Sequence, residues 1–209
     1  MRVGSLILAG GRSLRMGQSK ESLPFLGDTL LGRITATLLG CTDAVVVVAR
    51  DAEQVLPPLP AGVLVTADLR PAAGPLAALV SGLCFLKERC GLRDGDAVFA
   101  TGCDAPFLTG TAVQGLVQRL GDAQAAVPRV AGFLQPLCAV YRVGVVAAAE
   151  ALLARGVDSL RALATAVPAR ELDEDELRRI DPELRFLRNV NTPEEYRRAL
   201  AEAGGGAPP

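Results

Sequence analysis

A doubly wound α/β fold on a mostly parallel sheet is predicted by three features of the sequence. Runs of apolar residues from Val3 to Ala9 and from Ala44 to Ala49, and a third run through Val98 to Gly102, have the composition of strands covered on both faces. Stretches of helical period separate them, and this alternation implies crossover connections of right-handed sense in a three-layer arrangement. The first run opens directly into glycine, at the carboxyl edge where such sheets gather their ligands.

The chain has 209 residues, which suits one domain with a single continuous core. That domain is expected over residues 1–203, with the short tail 204–209 disordered. Half the residues are apolar and the formal net charge is −1, so the basic footprint of a nucleic-acid binder is missing. No apolar run has the length of a membrane span, and no signal-peptide pattern precedes Val3, so a cytoplasmic protein without membrane contact is expected. The five cysteines lack metal-ligand spacing and read as reduced thiols. With no histidine, zinc sites and histidine acid–base chemistry are excluded.

The elements follow in order. Asp28 or Thr29 caps a helix whose apolar face is Leu30, Leu31, Ile34 and Leu38, and Gly40 ends it. Ala44 to Ala49 is a central parallel strand, Pro57, Pro58 and Pro60 forbid regular structure, and Val63 to Val65 forms a short third strand. Pro75 opens a helix carrying Leu76, Leu79, Val80, Leu83 and Leu86. Thr109 to Leu120 is amphipathic, with Thr109 and Thr111 as candidate caps, and Ala123 to Pro128 is another strand. A loop and a long strand fill Arg129 to Arg142, and short helices follow at 145–153 and 159–164, the second capped by Asp158. An edge strand over 166–172 and a solvated helix over 173–179 come next. Asn189 and Asn191 alternate on one strand face, pointing the same way. Thr192, Pro193 and Glu195 then form a cap, a first-turn proline and a capping box.

The chemistry starts at the first strand's end. Gly10, Gly11 and Gly17 allow backbone N–H groups to approach an anion closely, and Arg12, Arg15 and Lys20 add positive charge, a combination suited to phosphate. It is neither of the two commonest phosphate loops: Gly17 is followed by Gln18 rather than Lys, and G-x-G-x-x-G does not fit. A second signal is Asp104, two residues beyond Gly102 at the end of a buried strand. A carboxylate facing the phosphate loop is placed to hold Mg²⁺, which takes one or two carboxylates and fills its other positions with phosphate and water. The plainer alternative is a turn aspartate ahead of the next helix.

The pattern L-A-G-G-x-x-x-R-M-G-x-x-K, from Leu8 to Lys20, resembles the nucleotidyltransferase loop of the molybdenum cofactor guanylyltransferases. Cytidylyltransferases and sugar-nucleotide pyrophosphorylases carry looser versions. The segments D…G-P-L-A from Asp68, C-D-x-P at Cys103 and N-x-N-T-P-E from Asn189 are similar to that family in the same order. The resemblance implies a Rossmann-like nucleotidyltransferase fold. It also implies that Gly10, Gly11 and Gly17 wrap the triphosphate, with Leu8 and Ala9 among the nucleotide-binding residues, while Arg15 and Lys20 neutralise it. Asp68 and the backbone near Gly74 would contact base and ribose, and Asp104 would serve nucleotide and metal. Gln135, Asn189 and Asn191 would meet the pterin acceptor, although the asparagines also suit a turn. Phe133 and Leu134 stand where a basic residue is usual, and Arg129 is a candidate for that charge.

The expected reaction is Mg²⁺-dependent transfer of GMP from GTP to molybdopterin, giving the guanine dinucleotide form and pyrophosphate. Arg15, Lys20 and Asp104 would carry the catalysis. The alternatives are a cytidylyltransferase for the same cofactor or a guanylyltransferase for another phosphorylated acceptor; a non-catalytic nucleotide-binding protein is the alternative from a different class. Gly11 favours guanine, because the cytidylyl relatives usually read L-A-A-G. Transient contact with cofactor-biosynthesis or acceptor proteins is a further expectation.

Overall fold

The computed structural model describes residues 1–11 and 19–204. Arg12, Arg15, Gly17 and the tail 205–209 lie outside the described residues, so the expectations placed on them have no structural counterpart below. The first half of the chain runs β1 (Val3–Leu8), a 3-10 turn at Lys20–Ser22, a small hairpin of β2 (Pro24–Phe25) and β3 (Asp28–Thr29), then α1 (Leu30–Leu39). It continues through β4 (Ala44–Ala49), β5 (Val63–Ala67), α2 (Gly74–Cys90), β6 (Ala97–Gly102) and α3 (Gly110–Gln118). The second half contains β7 (Ala125–Val130), β8 (Phe133–Leu134), β9 (Cys138–Arg142), α4 (Val146–Ala154) and α5 (Leu160–Ala166). It closes with β10 (Ala169–Leu172), α6 (Glu174–Arg178), a 3-10 turn at Arg185–Leu187 and α7 (Pro193–Ala203).

The main sheet has eight strands in the order β10-β7-β9-β6-β1-β4-β5, with β8 paired to β7. Within that order every pairing is parallel except those of β9, which runs antiparallel to both β6 and β7. The register levels the carboxyl ends. Leu8 of β1 lies opposite both Gly102 of β6 and Val48 of β4, and Ala49 lies opposite Ala67 of β5. Gly10, Asp68 and Asp104, each just past such an end, are therefore delivered to one edge.

Side chains alternate across the sheet with the strand period of two, and both sets are buried. Leu6, Leu8, Val46, Val48, Val98 and Ala100 face one way and pack on α2, α4 and α5. Ile7, Val45, Val47, Ala97 and Phe99 face the other way and pack on α1, α3 and α6. This is the three-layer, mostly parallel α/β architecture that the apolar runs predict. A third cluster of Leu23, Phe25, Leu30, Val190 and Ala199 docks α7 onto the β2–β3 hairpin, and the Tyr196 hydroxyl donates to the Pro24 carbonyl. Arg185 and Arg188 both lie over the Phe107 ring, 4.7 and 5.0 Å from its centroid. The far end of the chain is thereby fastened beside Lys20.

Caps and boundaries follow sequence chemistry with local exceptions. Thr29 and Thr109 accept from Gly32 and Ala112 as N-caps, so Asp28 is not the cap of α1. Thr192 and Glu195 make the reciprocal capping box of α7. Asp158 is not the cap of α5: Ser159 holds that position without a side-chain bond, and the Asp158 carbonyl accepts from Leu76 N–H instead. The expectation of a strand through Asn189 and Asn191 is also corrected. Residues 188–191 form no ladder, because Val190 N–H is spent on the Asp104 carbonyl (2.9 Å) and its side chain is buried in the third cluster.

Candidate active site

Where the strand ends converge, a cleft of about 350 Å³ opens. Leu8, Gly10, Gly11, Lys20, Asp68, Gly74 and Asp104 line it, together with Arg50, Gly102 and Cys103. Ala9 does not reach its surface. It is fully buried, with its N–H bonded to the Val48 carbonyl and its carbonyl bonded to Gln54.

The two glycines at the start of the loop differ in what requires them. A Cβ on Gly10 would stand 3.2 Å from the Arg50 Cα, so a side chain there would be tight against backbone. A Cβ on Gly11 would meet nothing within 4 Å among the described residues. Gly74 has φ of +75° and sits against Asp158, whose Cβ would lie 2.7 Å from an added Cβ. Only glycine suits both conditions.

Asp104 is held at several points. Its Oδ2 accepts from Lys20 Nζ at 3.0 Å, and the pair is largely shielded, the two side chains being 17 % and 20 % exposed. Lys20 Nζ also donates to Asn191 Oδ1 at 2.8 Å, and the Asn191 backbone N–H is fixed by Glu195 Oε2 at 2.7 Å. Gly102 makes room for the carboxylate, since a Cβ there would fall 2.6 Å from Asp104 Oδ1. Its neighbour Cys103 is held as a thiol, because burial pushes its pKa up to about 12.

Asp68 follows β5, and Arg70 N–H donates to its Oδ1 at 2.9 Å. Ser81 on α2 braces the same oxygen: its hydroxyl lies 3.1 Å away and accepts from Leu69 N–H at 3.0 Å. Both bonds fall on Oδ1, and Oδ2 has no partner among the described residues.

The structure brings together the glycines, Lys20, Asp68, Gly74 and Asp104, but it parts the residues assigned to an acceptor. Asn191 joins Lys20 at the first cleft. Asn189 and Gln135 line a second cleft of about 480 Å³, with Asp158, Ser159 and Arg161, and this cleft shares Pro75 and Leu137 with the first. Arg129, the candidate for the missing basic residue, is paired with Glu171 Oε2 at 2.6 Å and donates to the Gly132 carbonyl. Sequence reasoning overlooked Arg50, Gly102 and Ser81. Arg50 was open to the rule that ligands gather at strand ends. The other two depend on contacts that only the fold creates.

A three-layer sheet with a glycine stretch, a lysine and an aspartate at adjacent strand ends defines an α/β nucleotide-handling enzyme of the nucleotidyltransferase class. Residues 5–171 match the MobA-like NTP transferase domain, and the chain belongs to that family. It is 29 % identical over 206 residues to a molybdenum cofactor guanylyltransferase of Desulfosudis oleivorans, covering 98 % of this chain and 97 % of that one. Its fold is similar to that of molybdopterin-guanine dinucleotide biosynthesis protein A from Archaeoglobus fulgidus, with a TM-score of 0.77 at 19 % identity over 96 % and 98 % of the two chains. It is also similar to 2-C-methyl-D-erythritol 4-phosphate cytidylyltransferase from Thermus thermophilus, with a TM-score of 0.69 at 19 % identity over 98 % and 100 %.

Proposed function

We propose that this protein transfers GMP from GTP to molybdopterin, releasing pyrophosphate and forming the guanine dinucleotide. The observation that carries the reading is the Lys20–Asp104 pair on the wall of a cleft shared with Gly10, Gly11, Asp68 and Gly74. Gly11 lines the cleft and, among the described residues, nothing crowds it, which suits approach of phosphate oxygens to its backbone, with Lys20 at hand to neutralise them. Arg15 is assigned the same task. Asp68 Oδ2 can only accept, which suits guanine: its N1–H and 2-amino group are adjacent donors, whereas cytosine sets one donor beside an acceptor.

Asp104 fits a magnesium ligand. It is a hard oxygen donor, and Gly102 supplies a cradle that a Cβ would fill. The described residues contain no group of three His, Cys, Asp or Glu able to hold a metal alone, so phosphate and water would complete the coordination. When bound, Mg²⁺ would supply charge neutralisation beside the phosphates. In the reaction an acceptor phosphate oxygen attacks the α-phosphorus in line, the bond to the bridging oxygen breaks, and pyrophosphate leaves. Lys20 offsets the charge building on that leaving group, and the glycines hold the chain of phosphates straight. No protein nucleophile is required.

The second cleft suits the acceptor. Gln135 and Asn189 offer amide donors and acceptors to a pterin edge, Arg161 offers a cation to its phosphate, and the shared Pro75–Leu137 wall supports a reading in which the two ligands would bind side by side. All five cysteines are free thiols, in keeping with a reducing, cytoplasmic setting. The test is a nucleotide panel assayed for pyrophosphate release with molybdopterin. GTP alone should be turned over; preference for CTP would favour the cytidylyl alternative, and binding without turnover would sink the enzymatic reading.

A further inference from the structure

Gln54 lies in the irregular stretch between β4 and β5 and is not part of the cleft wall. Its amide is fully used. Nε2 donates to the Ala9 carbonyl at 2.9 Å and to Glu21 Oε1 at 2.7 Å, and Oε1 accepts from Arg50 N–H at 2.6 Å. Ala9 precedes the glycine-rich stretch and Glu21 follows it, so one amide group joins the chain on either side of that stretch. Glu21 is only 5 % exposed, so its bond to Gln54 is shielded from competing water. The third bond fixes the Arg50 backbone, the surface against which Gly10 is pressed.

We infer that Gln54 is a positioning residue. It clamps both flanks of the glycine-rich stretch to the end of β4 and so fixes where Gly10, Gly11 and Lys20 meet a triphosphate, an inference that rests on the nucleotide reading above. The residue type follows from the bonds. A glutamate would keep the acceptor for Arg50, lose both donors, and set a second carboxylate against Glu21. A lysine would donate but leave Arg50 N–H without its acceptor.

The test uses Gln54→Glu and the swap Gln54→Glu/Glu21→Gln, in which an amide at 21 donates back to the carboxylate at 54. Dissociation constants for GTP and for guanosine, which lacks phosphates, are measured alongside amide hydrogen exchange at Gly10, Gly11 and Ser22. Gln54→Glu should weaken GTP binding on the order of tenfold, the scale of a lost bond to a charged group. Guanosine binding should be unchanged, and the swap should recover part of the loss. Equal weakening of both ligands, or an unaltered GTP constant, would overturn the inference. If the wild-type protein binds neither ligand, the guanylyl reading fails, and the clamp is judged by exchange alone. Faster exchange in Gln54→Glu that the swap reverses sustains it, and unchanged exchange overturns it. Should Gln54→Glu not fold, Gln54→Met, similar in length and uncharged, is read the same way.

Discussion

Lys20 Nζ stands 3.0 Å from Asp104 Oδ2, so the cation assigned to the triphosphate and the carboxylate assigned to the metal neutralise each other in this structure. A metal ion bound at Asp104 would compete with this ammonium for the same oxygen. Lys20→Met should therefore tighten Mn²⁺ binding by the nucleotide-free protein several-fold, because a partly exposed pair is worth about 1 kcal/mol. The same substitution should weaken GTP. Electron paramagnetic resonance titration measures the first and calorimetry the second; a fall in both affinities would show that Lys20 does not compete for Asp104.

Asp104→Asn keeps the shape of the side chain and leaves the backbone bond from Val190 N–H to the Asp104 carbonyl untouched. Turnover should drop by roughly a hundredfold or more, the scale of losing a preorganised electrostatic group. The melting temperature should stay close to that of the wild type. Full turnover at limiting Mg²⁺ would remove Asp104 from the metal.

Gly102→Ala probes the cradle. Its new Cβ would fall 2.6 Å from Asp104 Oδ1, and the nearer atom to yield is the carboxylate, since the Asp104 backbone nitrogen is 3.9 Å away. Pyrophosphate release should then require more Mg²⁺ for half-maximal rate while circular dichroism stays unchanged. An identical Mg²⁺ dependence would mean the carboxylate keeps its place by another route.

The two asparagines should behave differently despite standing two positions apart. Asn189→Ala should raise the KM for molybdopterin by roughly two- to tenfold, the range of a neutral hydrogen bond, with GTP affinity unchanged. Asn191→Ala removes an acceptor from Lys20 and should weaken GTP as well. Steady-state kinetics with each substrate varied in turn separates the two, and matching profiles would return both residues to one role.

The layered fold was legible in the sequence because apolar runs and helical periods are local signals. Val45 to Val48 could be only a covered strand, and Thr192-Pro193-Glu195 only a helix start. Much of the candidate site was legible for the same reason: Gly10, Asp68 and Asp104 all sit just after apolar runs, parallel strands bring such ends to one edge, and Lys20 was legible from its place in the glycine-rich pattern. What stayed hidden is long-range contact. Nothing near Val190 indicates that its N–H belongs to the Asp104 carbonyl, and that single bond abolishes the expected strand and turns Asn191 toward Lys20 while Asn189 goes elsewhere. The pairing of Arg129 with Glu171 is likewise a contact that only the fold supplies.

The docking of α7 on the β2–β3 hairpin also orders events in time. Synthesis runs from the amino end, and here the sheet and most of its helices precede the segment that carries Val190, Asn191 and Ala199. A nascent chain on the ribosome already contains Gly10, Lys20, Asp68 and Asp104. It still lacks the backbone donor that steadies Asp104 and the amide that steadies Lys20 until α7 emerges and docks. The cleft's polar groups are thus brought into register by the segment leading into the last described helix, so the groups assigned to the nucleotide are all synthesised before the contacts that steady them.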